Sequence, residues 1–175
     1  TRLWTLFPYT TLFRSLRLES FHDDLVFEKV QVEDLVKDMV RKYALFFIQK
    51  GLTVNLHDLD KIIVTDKKWL LVVIEQILSN SLKYTKEGGL EIYMEGQELC
   101  IKDTGIGIKN SDVLRVFERG FSGYNGRLTQ QSSGLGLYLS KKISEELGHQ
   151  IRIESEVGIG TSVRIKFSNR NLMIE

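Results

Sequence analysis

A single cysteine, Cys100, and a single proline, Pro8, are all that 175 residues contain of either type. One thiol cannot close a disulfide within the chain, which suits a reducing compartment. Cys100 sits in the apolar run Leu99-Cys100-Ile101, and reads as a buried structural thiol, since nothing nearby would activate it. No apolar run approaches the ~20 residues needed to span a bilayer. A surplus of charge is missing too. The chain carries 24 Lys+Arg against 23 Asp+Glu, a net charge of +1, so nothing suggests a nucleic-acid or membrane surface. No internal repeat is present. The 42% hydrophobic content suits one soluble domain with a short appendage.

Residues 1–15 differ from the rest of the chain. They hold the proline, four aromatics and no acidic residue, and are too broken for the apolar region of a signal peptide. They are expected to be a non-native or disordered segment. Residues 16–30 are expected to be linker, 31–170 the domain, and 171–175 a tail.

Val32, Leu35, Val36, Met39, Val40, Tyr43 and Phe47 recur at helical spacing, which predicts an amphipathic helix over 32–49, stopped by Gly51. Strands are predicted at 52–56 and 61–64. Thr65 or Asp66 caps a helix running to about Tyr84. Glu87-Gly88-Gly89 turns into a strand over 90–94. Gly96 marks a hairpin, and strand 98–102 delivers Asp103 at its end. Residues 104–133 are rich in Gly, Ser, Asn and Gln, with one short helix near 111–117. So long an irregular stretch in a compact domain signals a functional lid or disorder. Helix 135–147 ends at Gly148, and strands 150–155 and 161–167 form a hairpin around Gly158-Ile159-Gly160. About three main helices on one face of a mixed sheet of six short strands make a two-layer α/β sandwich.

Three motifs carry chemistry. Asp103-Thr104-Gly105-Ile106-Gly107-Ile108 places a carboxylate where a strand becomes a glycine turn. It can accept from the exocyclic amine of adenine, which guanine lacks at that edge. Gly105 and Gly107 let the backbone bend and the ligand approach. Taken alone, the motif also fits an ordinary Asp-Thr-Gly turn. Gly134-Leu135-Gly136-Leu137 opens a helix whose unpaired N–H groups suit an anion; the plain alternative is a helix start after a serine cap, Ser132 or Ser133. Neither a P-loop nor a dinucleotide fingerprint fits. Asn80, Lys83 and Tyr84 share one helix face with Gln76 one turn earlier. An amide oxygen suits Mg²⁺, and Lys83 suits phosphate. The bland reading, a solvated polar face, is weakened because Val72, Val73, Ile77 and Leu78 already supply the buried side.

Along the chain the Asn80, Asp103 and Gly134 motifs follow one another, and with Phe117-Glu118-Arg119-Gly120-Phe121 between the last two they resemble the N, G1, F and G2 boxes of sensor histidine kinases. Gly158-Ile159-Gly160-Thr161 resembles that domain's closing motif. The resemblance covers residues ~20–170 and implies the ATP-binding (GHKL, or Bergerat) fold of the gyrase-type superfamily. Residues 121–127 further look like small-sensor kinases of Gram-positive bacteria that respond to antimicrobial peptides. By matching positions, the resemblance implies that Asn80 holds Mg²⁺ and Asp103 the adenine amine. It implies that Lys83, Tyr84, Gly105, Gly107, Ile108, Phe117, Gly134, Leu135, Gly136, Leu137 and Thr161 line or shape the nucleotide site. Arg119 would reach the γ-phosphate, or would instead pair with Glu118 and only order the lid.

The resemblance also implies what surrounds such a domain. ATP and Mg²⁺ would be its ligands. A dimerisation hairpin bearing the phosphoacceptor histidine and a response regulator would be its partners. The whole protein would be a homodimeric, membrane-anchored bacterial kinase with this domain in the cytoplasm. Gyrase-type hydrolases carry a glutamate four residues before the metal asparagine. Here that position is Gln76, which cannot act as a base, and Glu75 points ~100° away around the helix. This favours phosphoryl donation over the alternative, an ATPase that drives a conformational clamp. His22, His57 and His149 are the only candidate acceptors. His22-Asp23-Asp24 lies where the linker should be, and the other two sit at strand and helix ends, so the acceptor is expected elsewhere.

Overall fold

The structure, a computed structural model, describes residues 25–123 and 134–169. The first strand, β1 (Glu28–Gln31), leads directly into α1 (Val32–Gln49). Val32, Leu35, Val36, Met39, Tyr43 and Phe47 form the buried stripe of α1. The helix ends in a Schellman motif: Gly51 adopts φ +64°, its N–H donates to Ile48 O at 3.0 Å, and Leu52 N donates to Phe47 O at 2.9 Å. Strands β2 (Thr53–His57) and β3 (Ile62–Thr65) follow, then α2 (Lys67–Tyr84). Asp66 is the α2 cap, accepting from Trp69 N at 3.1 Å and also from Val26 N at 2.8 Å.

The hairpin β4 (Gly89–Glu95) and β5 (Glu98–Asp103) precedes α3 (Asn110–Val113). Helix α4 (Gly136–Glu146) and strands β6 (Gln150–Glu156) and β7 (Gly160–Lys166) follow. The main sheet has five strands in the order β2-β4-β5-β7-β6. Only β2 and β4 run parallel; the other neighbours are antiparallel. Leu90, Ile92, Leu99, Ile101, Val163 and Ile165 point from one sheet face into the core beneath the long helices. In-register residues His57, Tyr93, Cys100, Arg164 and Arg152 cross the other face. Cys100 is fully buried there, and burial raises its thiol pKa, as expected of a structural cysteine.

Two expectations change. Seven strands, not six, are present among the described residues, because β1 begins in the stretch expected to be linker. Its sequence buries only Val30, so it shows no alternation to read. It pairs antiparallel with β3, and the two form a separate small sheet. Leu25 and Phe27 pack on the core as well. The short helix spans 110–113 rather than 111–117: it buries no side chain and has no side-chain cap, so little sustains it beyond one turn. The α4 cap position is Leu135, without a side-chain cap bond; Ser132 and Ser133 lie outside the described residues.

Candidate nucleotide site

Helix α2 supplies one wall. Most of its residues are buried. Gln76, Ser79, Asn80, Lys83 and Tyr84 are not; they form a half-buried polar stripe, as the i, i+3, i+4 spacing requires. The Lys83 ammonium lies 4.9 Å from the Tyr84 ring centroid. Glu75 faces the other way. It is buried and accepts from Lys42 Nζ of α1 at 2.6 Å and from the Tyr43 hydroxyl.

Asp103, at the end of β5, is the hub. It is 8% exposed. Its Oδ2 accepts from Ser81 Oγ at 2.8 Å. Its Oδ1 accepts from Gly105 N at 2.9 Å and from Thr161 N at 3.2 Å. A carboxylate has about four lone-pair sites, so about one remains for an incoming donor. Burial raises the Asp103 pKa above the ordinary aspartate value, against the lowering effect of the Gly105, Ser81 and Thr161 hydrogen bonds.

The following loop is clamped on both sides. Ile106 N donates to Tyr84 O at 3.1 Å, and Gly158 N to Ile106 O at 2.9 Å. Ile108 N donates to Ser155 Oγ at 2.9 Å, which also meets Thr161 Oγ1 at 2.8 Å. Gly107 has φ +70°, and a Cβ there would lie 2.0 Å from Glu156 O. The glycine is therefore required twice over, by conformation and by contact.

The second glycine motif meets α2. A Cβ on Gly136 would lie 2.4 Å from Gln76 Oε1, so the start of α4 abuts the position where a hydrolase would carry its base. Gly120 N donates to Gly134 O at 3.0 Å, tying the middle of the stretch between the two glycine motifs to the second motif. Residues 124–133, including most of the 121–127 match, lie outside the described residues. Phe117 is half-buried, with Lys141 Nζ 5.7 Å from its ring centroid. Glu118 pairs with Arg115 Nε at 3.0 Å, not with Arg119. Arg119 is exposed, and no ion pair joins it to a described residue.

The structure thus joins Tyr84, Asp103, Gly105, Ile108 and Thr161 in one hydrogen-bonded network through Ile106 and Ser155, with Gly107 against Glu156 and, separately, Gly136 against Gln76. Asn80 and Lys83 share its helical wall. Phe117 and Arg119 lie on the segment between the glycine motifs. Ser81 and Ser155 are the residues that sequence reasoning missed. The only signal for Ser81 is a hydroxyl on the buried side of an otherwise apolar helix, where it needs a partner. Among the described residues no group of three or more His, Cys, Asp and Glu side chains could hold a metal by itself.

His57 is held between Asp58 at 2.8 Å and Glu91 at 3.1 Å, and hydrogen bonds to those two carboxylates raise its pKa. His149 is buried between Thr65 Oγ1 at 2.9 Å and Ser168 N at 3.2 Å. Both are structurally engaged; His22 lies outside the described residues. No helix among the described residues is long and apolar enough to cross a membrane.

Residues 65–171 match the family described as "Histidine kinase-, DNA gyrase B-, and HSP90-like ATPase". The chain is 40% identical over 169 residues to the sensor histidine kinase YxdK of Bacillus subtilis (strain 168), covering 92% of this chain and 52% of that protein. It is 38% identical over 164 residues to the sensor protein kinase GraS of Staphylococcus aureus (strain JH1), covering 91% of this chain and 47% of GraS. It therefore spans about half the length of the curated relatives it matches. The fold matches that of the Acinetobacter baumannii histidine kinase AdeS with a TM-score of 0.71 at 23% identity, over 93% of this chain and 79% of that one.

Proposed function

Since the chain belongs to the histidine kinase-, DNA gyrase B- and HSP90-like ATPase family, we propose that it is the ATP-binding catalytic unit of a two-component sensor histidine kinase. It donates the γ-phosphoryl group of ATP to a histidine on a separate helical hairpin, for onward transfer to a response regulator. The observation that carries this reading is the Asp103 cradle, in which three donors occupy the carboxylate and an acceptor position remains for an adenine amine. Asn80 would hold Mg²⁺, which when bound neutralises phosphate charge, and Lys83 would meet the phosphates. Arg119 would reach the γ-phosphate, since its neighbour Glu118 is already engaged by Arg115.

Gln76 separates donation from hydrolysis. Its amide cannot take a proton from water, and Glu75 is held by α1 on the other side of the helix. Bound ATP is thereby spared for a histidine, and positioning with charge neutralisation accounts for the chemistry. The whole protein would be a homodimer anchored in the membrane, with this unit on the cytoplasmic side.

Calorimetric titration with Mg-ATP, followed by assays of phosphate release and of transfer to an added acceptor hairpin, tests the reading. Binding, slow release and transfer to the hairpin are expected. Fast release without acceptor would replace kinase by ATPase, and no binding would discard both. Asn80→Ala should remove the Mg²⁺ dependence of binding; an unchanged dependence would move the metal elsewhere.

A further inference from the structure

Helix α2 ends at the site, and its last carbonyls need partners. Ser81 O receives Thr85 N at 2.9 Å, and Tyr84 O receives Ile106 N from the glycine loop at 3.1 Å. Lys50, the residue that closes α1, supplies two more. Its ammonium donates to Leu82 O and to Thr85 O at 2.9 Å. A cation at a helix C-terminus is favoured by the negative end of the dipole as well as by the hydrogen bonds. The Schellman turn at Gly51 fixes the backbone from which the Lys50 side chain departs. Burial lowers the Lys50 pKa, consistent with an ammonium partly sheltered from water that would compete for those carbonyls.

What α2 presents at this end is the seat of the Asp103 loop. A Cβ on Gly105 would lie 2.8 Å from both Tyr84 O and Asp103 Oδ1. Movement of the last α2 turn would therefore displace the loop that holds the carboxylate. We propose that Lys50, distant in sequence from every nucleotide motif, is a positioning residue for base recognition. Its ammonium locks the end of α2 so that Tyr84 O holds Ile106 and Asp103 faces the adenine. The proposal deepens the nucleotide-site reading and rests on it.

The test uses Lys50→Met, Lys50→Arg and Lys50→Gln in the whole chain. Lys50→Met should weaken AMP, ADP and ATP by the same factor, roughly tenfold, the scale of a charge-assisted hydrogen bond. Loss of a phosphate-binding charge would instead grow with the number of phosphates. Lys50→Arg, whose fork can span two carbonyls, should restore most of the affinity. If Lys50→Met does not fold, Lys50→Gln, with one short amide, should show a partial, phosphate-independent loss. Amide hydrogen exchange in the free protein gives a second readout, with faster exchange expected at Ile106 and Gly105 in the Met or Gln variant. Wild-type affinity in a folded Met or Gln variant, or a loss that scales with phosphate number, would overturn the proposal. If wild type binds no nucleotide, the site reading fails on its own, and unchanged exchange at Ile106 would separately refute the lock.

Discussion

Burial raises the pKa of Asp103, yet an exocyclic amine needs its ionised form. In the folded chain the protonated form is relatively favoured. Asp103 therefore contributes stability below the unfolded-chain value of about 3.9, and that contribution is lost as pH rises through the higher folded value. Ligand affinity runs the other way: adenosine binding should weaken on acidification while the pH is still above the ordinary aspartate range. Asp103→Asn keeps one oxygen for Gly105 N and Thr161 N, and its amide can donate to Ser81 Oγ. It should leave the free protein at least as heat-stable at neutral pH, yet cost about 2–5 kcal/mol in ATP affinity, because a donor then faces a donor. Wild-type affinity by calorimetry would remove Asp103 from the site. Arg119 should behave differently. Arg119→Ala is expected to leave ATP affinity nearly unchanged and slow transfer to the acceptor hairpin about a hundredfold. An equal loss in binding and transfer would make it a binding residue instead.

At the scale of elements, the glycine loop is a strap between the end of α2 and the β6–β7 turn. Two glycines test how much of that is contact and how much is conformation. Gly96 has φ +61° and nothing within reach of an added Cβ, whereas Gly107 has φ +70° and would drive a Cβ to 2.0 Å from Glu156 O. Gly96→Ala should cost about 1 kcal/mol of stability from the left-handed backbone alone. Gly107→Ala should cost about 3 kcal/mol or more, with backbone overlap added to strain. Urea denaturation of the two variants measures the difference, and equal midpoints would mean that the strap yields without cost. This contrast was only half legible in the chain. The motif showed that Gly105 and Gly107 permit a bend, but Glu156 is far away in sequence and only the fold brings it close. The long helices were legible nearly to the residue because each carries its own start or stop signal, Gly51 after α1, Asp66 before α2 and Gly148 after α4. The four-residue β1 was not, since it buries a single side chain and exists by pairing with β3.

Across the whole molecule, the site draws on α2, β5, β7 and α4, which meet only in the folded state. A ligand bound there should therefore stabilise the entire domain. Mg-ATP at about a hundred times its Kd should add about 2.7 kcal/mol, visible as a raised melting temperature. GTP at the same concentration should add little, since guanine carries a carbonyl where adenine carries the amine that Asp103 would accept. Equal shifts for ATP and GTP would discard base selection by Asp103.

The sequence by itself determined the chemistry on offer: a carboxylate at a strand end, paired glycines, an asparagine and a lysine on one helical face, and a glutamine where a base would be needed. These are local, because residue type and spacing of three or four along a helix already decide which side chains can act together. Tertiary structure decided who holds them. Asp103 meets Thr161 because β5 and β7 pair in that register, Ser81 turns to Asp103 from a neighbouring layer, and Lys50 reaches the end of α2 from another helix. Such partnerships depend on the packing of layers, and contacts between residues distant in sequence leave no periodic trace in the chain.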